Sequence, residues 1–373
     1  MDETTRKPRV AVVFGGRSSE HSVSCSTAAG VLAAIDRDVY DVVPIGITMS
    51  GRWVLAADDP GRWALTGSQT PEVTADDGPG VLVPRSTDER GLVVLADGEV
   101  PRELGEVDVV FPLLHGAFGE DGTLQGLLEL ADVRYVGSGV LSSAMSMDKH
   151  YMKVVLAGHG LEVGPHTVIM PGEWETDPAA CADAVAALGW PVFVKPARAG
   201  SSMGISKVDG PDDLAAAVEA ARQHDPKVVV EAAIAGREIE CAVLADPDGG
   251  PPRTSLPGEI EVLSGHDFYD FDAKYVDEAS VRLSCPADLP EHVTEQVREL
   301  AARTFTVMGC EGLARVDVFF TDDHRVVVNE INTMPGFTAT SMYPRMWAAS
   351  GVDYTALVDT LIRLALNRPT GLR

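Results

Sequence analysis

The sequence predicts an α/β protein that opens on a doubly wound unit and carries mixed α/β domains after it. Three observations lead there. An apolar run at Arg9–Phe14, the loop Gly15-Gly16-Arg17-Ser18-Ser19 and helical periodicity over Glu20–Ile35 give the strand, glycine turn and helix that open such units. Apolar strand-like runs and amphipathic helical stretches keep alternating as far as Leu366. The 373 residues favour two to three domains, and a hydrophobic content of 45% supplies the cores they need.

Composition excludes several classes of function. A formal net charge of −26 argues against nucleic acid and against anionic membranes, because both are met by basic patches. The five cysteines (25, 181, 241, 285 and 310) are odd in number and form no CxxC pair. That argues against a disulfide framework or a zinc site and for a reducing compartment. The opening MDETTRKPRVAVVFGG has too short an apolar run for a signal peptide, and no run reaches transmembrane length. A soluble cytoplasmic protein is the expectation.

The first loop is not GxGxxG, which weakens a dinucleotide reading. Glu20 lies at the mouth of the first strand, with a serine before it as N-cap. It is either a helix-start residue favoured by the dipole or a carboxylate placed to hold an ammonium group. Tyr40–Thr48 reads as a strand. Residues 57–105, rich in Gly, Pro and Asp, read as an insertion with strand-like pieces at Gly80–Pro84 and Leu92–Leu95. Val107–Leu114 is a strand ending in His115-Gly116, where a hydrogen-bonded structural histidine competes with a ligand role. The helix Thr123–Ala131 and the short strand Arg134–Val136 follow.

The pattern changes near Ser138. Ser146–Gly158 reads as a helix, Pro191–Pro196 as a strand carrying Lys195, and Ile205–Val208 as a strand. The Gly/Ser loop between those strands is no Walker loop. Its N–H groups can still cover phosphates with Lys149 and Lys195 adding charge; an ordinary hairpin tip is the alternative. Pro211–His224 is an amphipathic helix, and Lys227–Glu231 and Ile239–Leu244 are strands. The linker between the strands, flanked by Glu231 and Glu238, can take an adenine against backbone and a ribose against a carboxylate. After strand Pro257–Val262, residues 264–280 are long for a connector and read as a lid containing Lys274 and Tyr275. Glu291–Met308 turns an apolar face to the core, and Ser341–Ala349 and Asp353–Leu366 are closing helices.

Near the C-terminus, Gly312–Phe320 and Val326–Val328 pair as strands across the turn Asp322-Asp323-His324. Glu330 and Asn332, two residues apart, share a face, and pairing can bring Asp317 onto it. Two carboxylates and an amide oxygen suit Mg²⁺ better than Zn²⁺; a solvated hairpin edge with scattered acids is the alternative.

GGRSSEHSVS, LHGAFGEDGTLQG, MDKHYMK, VFVKPARAGSSMGISKV, VVVEAAIAGREIECAVL, YDFDAKY and ARVDVFF…NEINTMPGFTATSMYP together resemble the D-alanine–D-alanine ligases of the ATP-grasp superfamily, in order from about residue 9 to about 367. The resemblance implies an N-terminal substrate domain (1–137) and the central (138–232) and C-terminal (233–373) halves of an ATP-grasp fold, with the lid at 264–280. It implies that Lys149 and Lys195 contact phosphates, that Glu231 and the backbone at Ala233 and Ile234 take adenine, and that Glu238 takes ribose. Lys274 would reach the γ-phosphate from the lid. Asp317, Glu330 and Asn332 would hold two Mg²⁺ (or Mn²⁺), with Glu330 bridging.

On the substrate side, the resemblance makes Glu20 the anchor for the first D-alanine's ammonium, with His115 beside it. Ser341 and the Met342 backbone would take the second D-alanine's carboxylate. Arg315 and the Gly336 N–H would stabilise the oxyanion. Glu20, Ser201 and Tyr275 would form a hydrogen-bonded set that closes the site. The implied activity is ATP-dependent ligation of two D-alanines through a D-alanyl phosphate, for peptidoglycan precursors, in a cytoplasmic homodimer. A ligase taking D-lactate second, or a non-catalytic ATP-grasp regulator, is the alternative. The complete set Lys195, Arg315, Asp317, Glu330 and Asn332 argues against the regulator.

Overall fold

In the computed structural model the described residues are 6–65, 70–83, 86–88, 91–96, 98–200, 203–263 and 281–369. They form three sheets. The first has eight strands in the order Arg102–Glu106, Gly91–Leu95, Gly80–Leu82, Trp53–Leu55, Asp41–Ile47, Arg9–Gly15, Val109–Pro112 and Arg134–Tyr135. The last four are parallel to one another, and the first four continue the sheet in antiparallel fashion. The segment expected to be an insertion therefore extends this sheet by pairing its edge.

The glycine turn after Arg9–Gly15 is dictated sterically. Gly15 and Gly16 have φ of 88° and 97°, and a Cβ on Gly15 would lie 2.3 Å from the Ile47 carbonyl oxygen. Helix His21–Ala34 follows with Glu20, not a serine, at its N-cap. Ser18 instead accepts the Glu20 N–H and donates to the His115 carbonyl. Ser24 ties the helix to the sheet by donating to Leu113 O and accepting from Gly15 N.

The second sheet is antiparallel, in the order Ser206–Val208, Val192–Pro196, Val228–Ala232 and His166–Ile169. The third runs Val281–Ser284, Gly258–Val262, Gly236–Leu244, Leu313–Thr321 and Val326–Asn332, with Arg253–Thr254 on its central strand. Glu330 and Asn332 thus lie inside the last strand, which runs four residues further than the sequence suggested, and Gly236–Leu244 starts three residues earlier.

The helix expected over Ser146–Gly158 is two helices, Val140–Met147 and Lys149–Gly158. Asp148 breaks them with an extended ψ of 100° and caps the second through His150 N and Tyr151 N; its outer oxygen is held by Lys227. The helix expected over Pro211–His224 opens as a 3₁₀ turn, Pro211–Asp213, and continues as Leu214–Arg222.

Two cores position the cleft. One face of the first sheet, with Phe14, Val109 and Phe111, packs against Phe337, Trp347 and Leu361 from the C-terminal part. Helix Lys149–Gly158 buries Met152 and Leu156 against Ile239, Val316 and Val328 of the third sheet. Helix Tyr354–Asn367 is clasped to the first sheet near its middle, by Tyr40 Oη donating to Asp359, and at its C-terminal end, by Arg368 donating to the carbonyls of Tyr135 and Gly137.

Candidate active site

A cleft of ≈1870 Å³ opens where the three sheets meet. Every expected site residue that lies among the described ones lines it, except Ala233. Ser201, Lys274 and Tyr275, with the whole of 264–280, lie outside the described residues.

The wall on the third sheet is built by pairing. Asp317 stands directly opposite Glu330, and Arg315 opposite Asn332. The register shifts by one residue next to this pair: Asp317 meets Glu330, but Val318 meets Val328. Asn329 is the extra residue, and such bulges re-aim side chains beside sites. Val327 and Val328 are buried while Glu330 and Asn332 face the cleft. Strict alternation would have put Val328 on the face of Glu330.

Arg315 grips Asp317 in a fork, Nε to Oδ1 and Nη2 to Oδ2 both at 2.7 Å, and its Nε lies 3.1 Å from Glu240 Oε1. Burial alone would lower the guanidinium's pKa; Asp317 and Glu240 more than offset that and hold it above its ordinary value. Asn332 Nδ2 donates to Asp317 at 3.0 Å, and Lys149 Nζ is 3.5 Å from Glu330 Oε2 and donates to Ala199 O at 3.0 Å.

Asp317, Glu330 and Asn332 form a donor set of one chemical kind. It holds carboxylate and amide oxygens only, and among the described residues no three His, Cys, Asp or Glu side chains are grouped to hold an ion. Two carboxylates and an amide fit a hard divalent cation that takes its remaining oxygens from phosphate and water.

The opposite wall carries the lysines. Lys195 Nζ donates to Glu231 Oε2 at 2.8 Å, and Lys153 Nζ lies 3.2 Å from Glu231 Oε1. Burial would raise the Glu231 pKa, but the two lysines together push it well below the usual carboxylate range. Both oxygens of Glu231 are thus engaged by cations. Ile234 lines the cleft, whereas the Ala233 N–H is already donated to Pro191 O at 3.0 Å.

At the first sheet's strand ends, Glu20 is buried between two glycines. A Cβ on Gly116 would sit 2.6 Å, and one on Gly200 2.4 Å, from Glu20 Oε2. His115 is buried, with its Nδ1 3.2 Å from the Met334 carbonyl oxygen and its Nε2 3.1 Å from Thr27 Oγ1. Burial lowers its pKa, against the pull of Glu20. At the far end, Ser341 caps helix Met342–Ala349, with its Oγ accepting the Thr338 N–H at 3.1 Å. Gly336 lies beside it; a Cβ there would be 3.3 Å from that Oγ.

Two residues in the quoted sequence runs carry no role in the sequence reading, yet the structure places them at the site. Glu120, from LHGAFGEDGTLQG, accepts Gly116 N at 2.7 Å and Met334 N at 3.1 Å. Loss of hydration and then Glu20 push its carboxyl up to about 8. Lys153, from MDKHYMK, is buried behind Glu231. The period of four from Lys149 to Lys153 on one helix face was the available signal.

Residues 9–138 match the family described as D-ala D-ala ligase N-terminus, and residues 155–363 the one described as D-ala D-ala ligase C-terminus. The chain is 65% identical over 375 residues to a D-alanine--D-alanine ligase of Kineococcus radiotolerans, covering 98% of this chain and 99% of that one. Among solved structures it resembles the VanG D-Ala:D-Ser ligase of Enterococcus faecalis (TM-score 0.83, 36% identity, 96% of this chain and 100% of that one). It also resembles the D-alanine-D-alanine ligase of Coxiella burnetii (TM-score 0.82, 36% identity, 97% and 94%).

Proposed function

The chain belongs to the D-ala D-ala ligase family, and from that premise we propose that it joins two D-alanines into D-alanyl-D-alanine, using ATP and releasing ADP and phosphate. The observation that supports this best is the facing pair Asp317 and Glu330, with Arg315 and Lys149 on the same wall and Lys195 across the cleft. That arrangement brings acidic metal ligands and phosphate-binding cations around one space.

A free carboxylate is a poor acyl donor, since oxide would have to leave. Phosphorylation by ATP converts the first D-alanine to an acyl phosphate with a good leaving group. Glu20 holds the ammonium of that D-alanine, with His115 fixed beside it. Lys149 and Lys195 orient and neutralise the phosphates. Asp317, Glu330 and Asn332 would hold the divalent cations, which we assign as two Mg²⁺ (or Mn²⁺), and these would supply further charge neutralisation at the phosphates. The base lies against the backbone near Ile234, and the ribose against Glu238. Ser341 and the Met342 N–H take the second D-alanine's carboxylate, so that its amine attacks the acyl carbonyl. Arg315 and the Gly336 N–H receive the oxyanion. On the family resemblance alone, Lys274 is assigned to the γ-phosphate, and Ser201 and Tyr275 to closure with Glu20.

The three units are assigned as 1–137, 138–232 and 233–373, with helix Lys149–Gly158 packing across the second boundary. No helix among the described residues is long and apolar enough to cross a membrane. A cytoplasmic homodimer making peptidoglycan precursor dipeptide is the reading we adopt. The test is phosphate release with ATP, Mg²⁺ and each of D-alanine, L-alanine, D-serine and D-lactate. Release and dipeptide formation with D-alanine alone are expected. Preference for D-lactate as second substrate would replace the reading with a depsipeptide ligase.

A further inference from the structure

Lys153 lies on helix Lys149–Gly158, one turn after Lys149, and does not reach the cleft. Its side chain is 1% exposed. Its Nζ is 3.2 Å from Glu231 Oε1 and 3.5 Å from the carbonyl of Asn329, the extra residue of the last strand. A buried ammonium needs a partner, and Glu231 is the carboxylate it has. The other oxygen of Glu231 takes Lys195 at 2.8 Å, and Lys195 reaches the cleft. The row is therefore cation, anion, cation, with one cation at the cleft surface and the other sealed behind it.

Charge counting gives this row a purpose. Glu231 and Lys195 alone would be a closed neutral pair, with little attraction left for an incoming polyanion. Lys153 satisfies the back of Glu231, so the row keeps one net positive charge, and Lys195 is where it meets the cleft. Glu330 and Glu238 also act on Lys195, so the cleft end would otherwise be dominated by acids.

We propose that Lys153 is a positioning residue for nucleotide phosphate: it neutralises Glu231 from behind and so leaves the Lys195 ammonium available to the phosphates of ATP. This rests on the ATP-dependent reading above and adds a residue that never touches the ligand.

The test is equilibrium binding of ATP and of uncharged adenosine, with steady-state kinetics, for wild type, Lys153→Met, Lys153→Gln and Lys153→Arg. Wild-type ATP binding is the control, and its absence would fail the ATP reading itself. Lys153→Met should weaken ATP roughly tenfold or more, the scale of a charge-assisted contact, through KM for ATP rather than KM for D-alanine. Adenosine binding should stay within about threefold, since it carries no phosphate. Lys153→Arg keeps a cation behind Glu231 and should hold ATP binding to within about threefold of wild type. ATP binding unchanged in Lys153→Met overturns the proposal, as does an equal loss for adenosine. If Lys153→Met does not fold, Lys153→Gln, which removes the charge and keeps a donor toward Glu231, decides: failure to fold, or ATP binding unchanged from wild type, overturns it.

Discussion

Glu120 Oε1 accepts the backbone N–H of Met334 at 3.1 Å, joining the loop after Val109–Pro112 to the segment that follows Glu330 and Asn332. The same carboxyl takes Gly116 N through Oε2. One side chain thus links the end of the cleft that holds Glu20 to the wall that holds Asp317 and Glu330.

That carboxyl is pushed up to about 8, by loss of hydration first and then by Glu20, with the amides of Gly116 and Met334 and with Arg315 opposing. The folded chain therefore keeps a proton that the unfolded chain loses near an ordinary glutamate pKa. With more protons on the folded state, stability falls as pH rises between about 4.5 and about 8, by up to ~1.4 kcal/mol per pH unit. Glu120→Gln keeps the shape and cannot ionise. Denaturant midpoints at pH 5 and pH 8 should separate more for wild type than for the variant; parallel behaviour would refute this.

Glu330→Gln keeps the strand pairing and removes one of the two facing carboxylates. Turnover should fall by about 10²-fold or more, with the thermal transition retained. Phosphate release near the wild-type rate by a folded variant would remove Glu330 from the metal set.

Glu20→Gln should weaken the first D-alanine by roughly ten- to a hundredfold, the loss of one charge-assisted contact. Steady-state analysis separating the two amino-acid sites reads this directly. An unchanged first-site constant would reduce Glu20 to the residue before a helix.

Gly200→Ala tests the same anchor from the other side. The added Cβ would fall 2.4 Å from Glu20 Oε2, and the flexible end of Glu20 must move. Stability should change by less than about 1 kcal/mol, while first-site affinity should drop several-fold. A destabilised protein with intact affinity would contradict this geometry.

The sequence carried much of this. Helical and strand periodicity placed most elements within a few residues, because amphipathic faces repeat locally. The resemblance carried by the motif runs implies one site for Lys195, Arg315, Asp317 and Glu330, and all four line the cleft; spacing along a strand accounts only for Arg315 and Asp317. The break at Asp148 was missed because a capping aspartate inside an apolar helical pattern leaves no change of period. The spacing of four puts Lys153 on the face of Lys149, but its pairing with Glu231 is not legible, because the two are far apart in the chain and meet only through how a helix lies across a sheet edge. The bulge at Asn329 alters the phase of one strand against another, and a single strand's sequence shows no partner. The insertion was legible as strand-like pieces but not as an extension of the first sheet, which depends on edge pairing.

The clasp of helix Tyr354–Asn367 on the first sheet also has a meaning in time. Phe111 and Val109 are made early, while Leu357 and Leu361, which cover the same sheet face, come more than two hundred positions later. At about 5–20 residues per second, a ribosome needs roughly ten to fifty seconds to close that gap. Throughout that interval helix His21–Ala34 is the early element that packs on this face, and the part that Leu357 and Leu361 later cover stays open to a crowded cell. Chaperone demand should therefore peak before the helix emerges, and slowing translation between the two segments should lower the soluble yield without altering the finished protein.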